Sequence, residues 1–371
     1  MESLFKLRGE LSSSQSILLG LVGLALLILI WWGIAESKSV QFPIVEGDKL
    51  EYPSAIGADA ATLAVIDSLA TVDSIRLANA TEFKKVYPII PNPWHVVQSF
   101  PDLIQEDRLL ANTWLSIWRN LQGYLWAILL SLPIGFLIGL LPLFRGMLSR
   151  PTDALRFLPL TALTGVFMLA FGTQETMKVS FLAFGIVVYL LPIVVQRINE
   201  VKDVYLKTTF TLGATDWQTI RTVYFPSVIS KLIDDIRVLT AISWTYIIIA
   251  ELLNKEGGIG ALMYTSGRQG QTEKVFAGLI VIILVGFLQD WIFLYLERRL
   301  FPYKHYPTAI PGINDSQYGI YIILGTLLLL VVLAMLAPGI FASVLTFAYI
   351  VLISGLILIG LGEYKIFKTN T

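Results

Sequence analysis

Few residues in this sequence can carry acid–base, thiol or metal chemistry. There is no cysteine, which removes disulfides, thiolate ligands and a cysteine nucleophile. The two histidines, His95 and His305, stand far apart, so a metal centre is not expected. No cluster of His, Asp and Glu marks a catalytic centre, which argues against an enzyme. No Gly-x-x-x-x-Gly-Lys-Ser/Thr loop is present, so the chain is not expected to bind ATP itself. The carboxylate that draws notice is Glu251, near the end of an apolar run and just before Gly257-Gly258-Ile259-Gly260. A carboxylate inside a membrane span is often functional. Glu251, with Gly258 and Gly260, either forms a gate or partner contact at the outer end of the span, or Glu251 is an interfacial charge. Thr161, Thr164, Ser243 and Thr245 either line a polar path or hydrogen-bond within a helix bundle, which is the commoner role.

The elements that must hold these residues are membrane helices. The chain is 55% hydrophobic and 15% charged, against roughly 25% charged in soluble domains. Net charge is zero, which gives no nucleic-acid signal. The apolar residues lie in unbroken runs, and a run of about 20 suffices for a helix to cross a bilayer. Eight spans are predicted, at about 17–35, 121–143, 155–172, 178–197, 232–253, 274–297, 318–337 and 341–361. The fold class is therefore all-α, polytopic and in contact with the lipid bilayer. The first run ends in Trp31-Trp32, which suits a retained helix with an interfacial belt. Segment 36–108 holds eleven acidic and six basic residues, whereas Arg145, Arg150, Arg197, Lys202, Lys207, Arg221, Lys231, Arg298, Arg299 and Lys304 fall on the opposite side. The positive-inside rule then places both termini in the cytoplasm.

Outside the spans, Pro101–Asn120 reads as an amphipathic helix on the outer surface, with Arg119 ending it. Within 36–92 a periodic stretch at 59–77 reads as a short helix. Pro338-Gly339 turns the last two spans into a hairpin. Arg156 and Arg237 sit near inner span ends, and no arginine or lysine is expected at the midplane. Asp234, Asp235 and Arg237 read as local ion pairs. The division expected is a helix at 1–35, an outer insertion at 36–108, a core at 109–300 and the hairpin at 301–371.

The loop at 198–231 is long for a connection between spans. It reads as two short helices, the first over about 200–212. Gly213 suits a left-handed C-cap, and Thr215-Asp216-Trp217-Gln218 fits a capping box. Trp217, Ile220 and Val223 share a face, and Pro226 is expected to interrupt the chain before the next span. Such a helical knob is a surface for a partner to grip.

Residues 206–226 resemble the coupling loop of bacterial ABC-importer permeases, whose pattern is Glu-Ala-Ala, three residues, Gly, and Pro thirteen residues later. Gly213 and Pro226 keep that spacing, while Lys207, Thr208 and Thr209 stand where Glu-Ala-Ala is usual. The likeness extends over about 86–300. Trp114-Leu-Ser-Ile-Trp-Arg119 resembles a Ser-Leu-x-Arg segment, Ser243-Trp244 to Ala250-Glu251 a Trp…Ala-Glu-Met segment, and Gly258-Ile-Gly260-Ala-Leu262 its Gly-x-Gly-x-Leu sequel. The resemblance is to the subgroup importing nitrate, sulfonates, taurine, bicarbonate and thiamine precursors. It implies a type I permease core in a bacterial inner membrane and a homodimer with a second permease copy. It also implies a dimer of ATP-binding subunits, which carries ATP and Mg²⁺, and a periplasmic or lipoprotein substrate-binding protein. Two other classes stay open at this point. One is a secondary transporter or channel, which needs intramembrane charge pairs or broken helices. The other is a degenerate permease acting as scaffold or sensor.

Overall fold

The structure is a computed structural model that describes residues 11–44, 65–72, 82–254, 256–304 and 311–370. The chain forms two compact units, Met1–Glu106 with Thr265–Ala277, and Asp107–Tyr264 with Gly278–Thr371.

In the first unit, Ser12 and Gln15 form a capping box that starts helix α1, Ser13–Ser37. Near its end Trp31 stacks on Phe276 at 5.7 Å, and its indole N–H donates to Pro91 O at 3.1 Å. The insertion departs from the all-α expectation. Val40–Ile44 (β1) and Glu82–Val86 (β2) form a two-stranded antiparallel ribbon with Val40 opposite Val86. Of the predicted helix at 59–77, residues 65–72 are helical and the rest lie outside the described residues. Asn92 caps α2, Pro93–Gln98, and α3 follows over Phe100–Gln105.

The second unit begins with a correction. Pro101–Asn120 is not one surface helix. Arg108 takes φ +51°, Asn112 Nδ2 caps Asp107 O at 2.9 Å, and a new helix, α4, runs unbroken from Leu109 to Leu140. Gly123, Ala127, Ser131, Gly135 and Gly139, each four apart, are buried along α4. They form the kind of small-residue seam that lets membrane helices approach closely. The helix on that seam is α7, Glu175–Asn199. A Cβ added at Gly123 would strike Leu182, one at Gly135 Val194, and one at Gly139 Ile198. Each pair is 59 residues apart in sequence, so α4 and α7 run parallel.

That register decides the third span. No straight helix covers 155–172. Helix α5, Pro142–Leu155, meets a short 3₁₀ turn, Leu160–Leu163, and α6, Thr164–Phe171, at a bend of 98°. Pro159 before the turn lacks a backbone donor and restricts the residue preceding it, so the bend falls there. Because α4 and α7 point the same way, 141–174 must return the chain across the membrane. Seven helices among the described residues are long and apolar enough to span, and counting the bent pair as one span gives eight.

After α7 come α8, Asp203–Thr211, and α9, Asp216–Thr219. Here too the structure corrects the sequence reading: Pro226 does not interrupt the chain. The helix passes from α9 through a π turn at Ile220–Tyr224 into α10, Phe225–Asn254. Pro226 lies just beyond the π turn, where the widened coil can absorb its missing N–H. Leu182, Ile186, Leu190 and Val194 of α7 meet Val228, Leu232, Ile236, Leu239 and Ile247 of α10 in the main core. Helices α11, Ile259–Arg268, and α12, Thr272–Leu300, complete the part preceding the terminal hairpin.

The hairpin is α13, Ile313–Leu336, and α14, Pro338–Asn370, hinged at Ala337. Its helices touch at glycines: a Cβ on Gly319 would sit 2.6 Å from Gly355 O, whereas Gly325 has open space. Gly319→Leu is therefore expected to cost about 1–3 kcal/mol through overpacking. Gly325→Leu should cost almost nothing. Thermal unfolding of the two variants in detergent gives the comparison, and equal melting temperatures would refute glycine-mediated packing.

Candidate functional site

Arg119 is the centre of the site. Counting along α4, it lies four residues before Gly123 on the same buried seam, and its side chain is fully buried. All five of its N–H donors are engaged. Nε donates to Glu175 Oε2 at 2.6 Å and Nη2 to Glu175 Oε1 at 2.5 Å. Nη1 donates to Glu251 Oε1 and to Gly257 O, both at 2.9 Å, and Nη2 also to Glu256 O at 3.0 Å. Four elements are thus tied together: α4, the start of α7, the end of α10 and the Gly-rich loop after it.

Glu251 is equally enclosed. Its exposure is 0%, which removes the reading as an interfacial charge. Oε1 also accepts from Ser116 Oγ at 2.7 Å, and Oε2 accepts from Gly260 N at 2.9 Å. Ser116 Oγ in turn accepts from Ile259 N at 2.9 Å, and Asn112 Oδ1 from Gly258 N at 2.8 Å. Gly257 and Gly258 have φ of +71° and +101°. Any Cβ on Gly258 would enter the Glu251 carboxylate. Lys178, also fully buried, lies 3.2 Å from Glu175 Oε1. Two cations and two carboxylates balance, which is how buried charge is tolerated.

This cluster corrects one expectation: Arg119 does not end a surface helix but lies buried within α4. The sequence signals for Arg119 were its step of four from the small-residue seam and the Ser116-x-x-Arg119 pairing on one helix face. The charges do lie within spans. However, every Arg119 donor is taken by protein, so it offers no open position to a passing anion.

Of the other residues singled out, Gly258 and Gly260 join Glu251. Ser243 does not: it is buried, with Oγ 2.7 Å from Thr240 O and 3.1 Å from Asn120 Oδ1. Thr245 is exposed on α10. Thr161 and Thr164 belong to the bent segment, where Thr164 Oγ1 donates to Thr161 O at 2.8 Å. Asp235, Asp234 and Arg237 pair across helices rather than locally, with Arg197 at 2.7 Å, Lys304 at 3.6 Å and Asp290 at 2.9 Å.

At the other end of α7 and α10 is the knob. Gly213 has φ +73°, and Thr215 and Gln218 form the reciprocal capping box. Lys207 and Thr208 are exposed on α8, and Thr209 Oγ1 donates to Leu206 O at 2.8 Å. Leu212 is 80% and Trp217 70% exposed, a large apolar surface for a loop. At its base Arg197 bridges Asp235 and Glu200, and Lys231 reaches Glu200 at 3.2 Å. The Arg197 guanidinium beside Glu200 holds its carboxyl down at about 2. The lowered value means that this brace is intact above the ordinary carboxylate range and weakens only as pH falls toward 2.

The family described as "Binding-protein-dependent transport system inner membrane component" matches residues 131–302. The aliphatic sulfonates transport permease protein SsuC of Bacillus subtilis (strain 168) is 30% identical over 220 residues, 58% of this chain and 79% of that protein. The taurine transport system permease protein TauC of Escherichia coli (strain K12) is 27% identical, covering 56% and 74%. The nitrate import permease protein NrtB of Synechococcus elongatus is 23% identical, covering 58% and 88%. With its multiple spans and exposed helical knob, this chain belongs to the binding-protein-dependent inner-membrane components, as the permease subunit of an ABC importer.

Proposed function

We propose that the chain forms the path for a small anion of the sulfonate or nitrate type, with bicarbonate in the same class. The observation that carries this is the shared chemistry in the names of SsuC, TauC and NrtB. The saturation of Arg119 fits it, since selectivity then resides in a separate binding protein and the path itself stays weakly binding. Two copies of the chain pair over a dimer of ATP-binding subunits, which hold ATP and Mg²⁺. The knob of α8 and α9, through Gly213, Trp217 and the surface of exposed Lys207 and Thr208 with half-buried Thr209, meets those subunits. Both termini and the knob lie in the cytoplasm, which eight crossings permit. The Arg119–Glu251–Glu175 cluster then lies at the outer end, where it fixes the Gly-rich loop that faces the binding protein. ATP-driven motion of the knob reaches that end through α7 and α10, which share the core. The motion is effective only so far as the ATP-bound partner favours one state over the other.

The test uses the reconstituted complex. ATP hydrolysis is expected to rise when binding protein loaded with a sulfonate or nitrate is added, while the permease alone binds neither tightly. Tight binding of one solute by the isolated chain, with hydrolysis indifferent to any binding protein, would reverse the reading. For the knob, Trp217→Ala is expected to weaken co-purification of the ATP-binding subunit by about 2 kcal/mol, as hot-spot truncations do. Undiminished recovery of the complex would remove the knob from the interface.

A further inference from the structure

In the first unit, α2 and α3 meet at Ser99, which itself keeps helical φ and ψ of −78° and −13°. Residues 93–105 are thus one helical segment, broken only where Pro101 lacks an N–H. Its side chains sort into three faces at helical spacing. Val96, Ser99 and Leu103 are buried against the protein. His95, Gln98, Asp102 and Gln105 form an exposed polar flank. Trp94, Val97 and Ile104, with Pro101 between them, form an apolar stripe and are 60%, 55% and 45% exposed. At about 100° per residue the stripe lies roughly opposite the buried face, and the polar flank separates the two on one side. A segment that met only water would not keep an apolar stripe beside a polar one; such a stripe marks a contact surface.

The height of the segment is fixed by two membrane spans. The indole N–H of Trp31, near the end of α1, donates to Pro91 O at 3.1 Å, two residues before α2. Tyr87 OH donates to Glu36 Oε2 at 3.0 Å, and the Tyr87 ring meets His95 of α2 edge-on at 5.3 Å. Thr272, the first residue of α12, donates from Oγ1 to Tyr87 O at 3.1 Å, and Phe276 of α12 stacks on Trp31. Both α1 and α12 are long and apolar enough to cross the bilayer. The segment therefore stands where α1 ends and α12 begins, at the boundary of lipid and water. Ile30, Trp32 and Ile34 at that end of α1 are exposed, so an apolar surface already runs up to this level. Tryptophan is favoured there because its ring is apolar and its N–H reaches water.

We propose that residues 93–105 form an interfacial helix that inserts Trp94, Val97 and Ile104 into the adjoining lipid leaflet and turns His95, Gln98, Asp102 and Gln105 to water. The stripe stands beside two span ends, where a soluble partner would first have to displace lipid. Insertion is driven by apolar burial rather than by headgroup charge, since the segment holds Asp102 and no lysine or arginine. The placement rests on α1 and α12 crossing the membrane and is independent of the transported solute.

The cysteine-free chain allows a direct test. Full-length Trp94→Cys, Val97→Cys, Ile104→Cys, Gln98→Cys and Gln105→Cys are each nitroxide-labelled and reconstituted in phosphatidylcholine vesicles. Paramagnetic resonance then compares relaxation by oxygen, which enters lipid, with that by a water-soluble nickel chelate. Labels at 94, 97 and 104 are expected to favour oxygen and to lie about 5–10 Å into the headgroup and acyl boundary. Labels at 98 and 105 should favour the nickel chelate. Should Trp94→Cys not fold, Val97→Cys and Ile104→Cys read the same stripe. The profile is expected to be the same in vesicles containing phosphatidylglycerol. Labels at 94, 97 and 104 as open to nickel as those at 98 and 105 would overturn the assignment. So would a stripe shielded only after a substrate-binding protein is added, which would make it a docking surface, or insertion that requires anionic lipid. None of these results bears on the stimulation of ATP hydrolysis, which tests the transport reading separately.

Discussion

Arg119→Met is expected to destabilise the permease by about 3–5 kcal/mol, the cost of stripping the partner from a buried charge. The reason is asymmetry around the guanidinium. Glu175 has a half-exposed side chain and can turn to water, but Glu251 has no exposed surface. Without Arg119, Glu251 keeps only Ser116 Oγ and Gly260 N, and the Gly257 carbonyl loses its Arg119 donor, while Glu256 O keeps Lys178 Nζ at 3.5 Å. Glu251→Leu alone should cost less, because Arg119 retains Glu175 and two carbonyls. The double variant Arg119→Met/Glu251→Leu should recover much of the loss, since apolar replacement of a whole buried pair is often near neutral. Thermal or denaturant unfolding in detergent gives the double-mutant cycle. A cost below about 1 kcal/mol for Arg119→Met, or a double variant as unstable as the sum of the singles, would refute a coupled pair. Transport separates structure from mechanism: a double variant that is stable yet no longer responds to loaded binding protein assigns the pair a part in the cycle.

Why this pair escaped the sequence shows where linear reading fails. Features set within a few residues were legible. The Gly213 C-cap and the Thr215–Gln218 box depend on local backbone and appeared as expected. Long apolar runs gave the spans because length and hydropathy suffice. Arg119 and Glu251 are 132 residues apart, and each alone sits near the end of an apolar segment, where an interfacial charge is commonplace. The amphipathic pattern at 101–120 is real, but from Leu109 on its inward face continues onto the small-residue seam of α4 instead of lying on a surface. Pro226 misled through a similar route. Proline ends an ordinary helix, but a π turn before it removes the conflict, and nothing in the local sequence announces a π turn. The bend near Pro159 became a crossing only once the parallel register of α4 and α7 was known. The β1–β2 ribbon pairs strands separated by nearly forty residues, again a tertiary choice.

The second large effect is expected at Gly258. Its φ of +101° lies outside the region open to residues with a side chain, so alanine there strains the backbone by roughly 1–3 kcal/mol. Space is refused as well, because the new Cβ falls within the Glu251 carboxylate. That carboxylate cannot yield freely, since Ser116, Arg119 and Gly260 hold both its oxygens. Overpacking of this kind adds about 1–3 kcal/mol. Gly270 gives the control: φ is +74° with nothing within 4 Å, so Gly270→Ala should incur the backbone cost alone. If Gly258→Ala melts with Gly270→Ala, steric contact with Glu251 contributes nothing and the cluster is looser than described. A rescue test sharpens the point. Glu251→Asp withdraws the carboxylate by one methylene, and combined with Gly258→Ala it should regain part of the packing loss but none of the backbone strain. Recovery to wild-type stability would show that the left-handed conformation is not imposed by the loop, and the Gly-rich turn would then owe its glycines to the neighbouring carboxylate rather than to its own backbone.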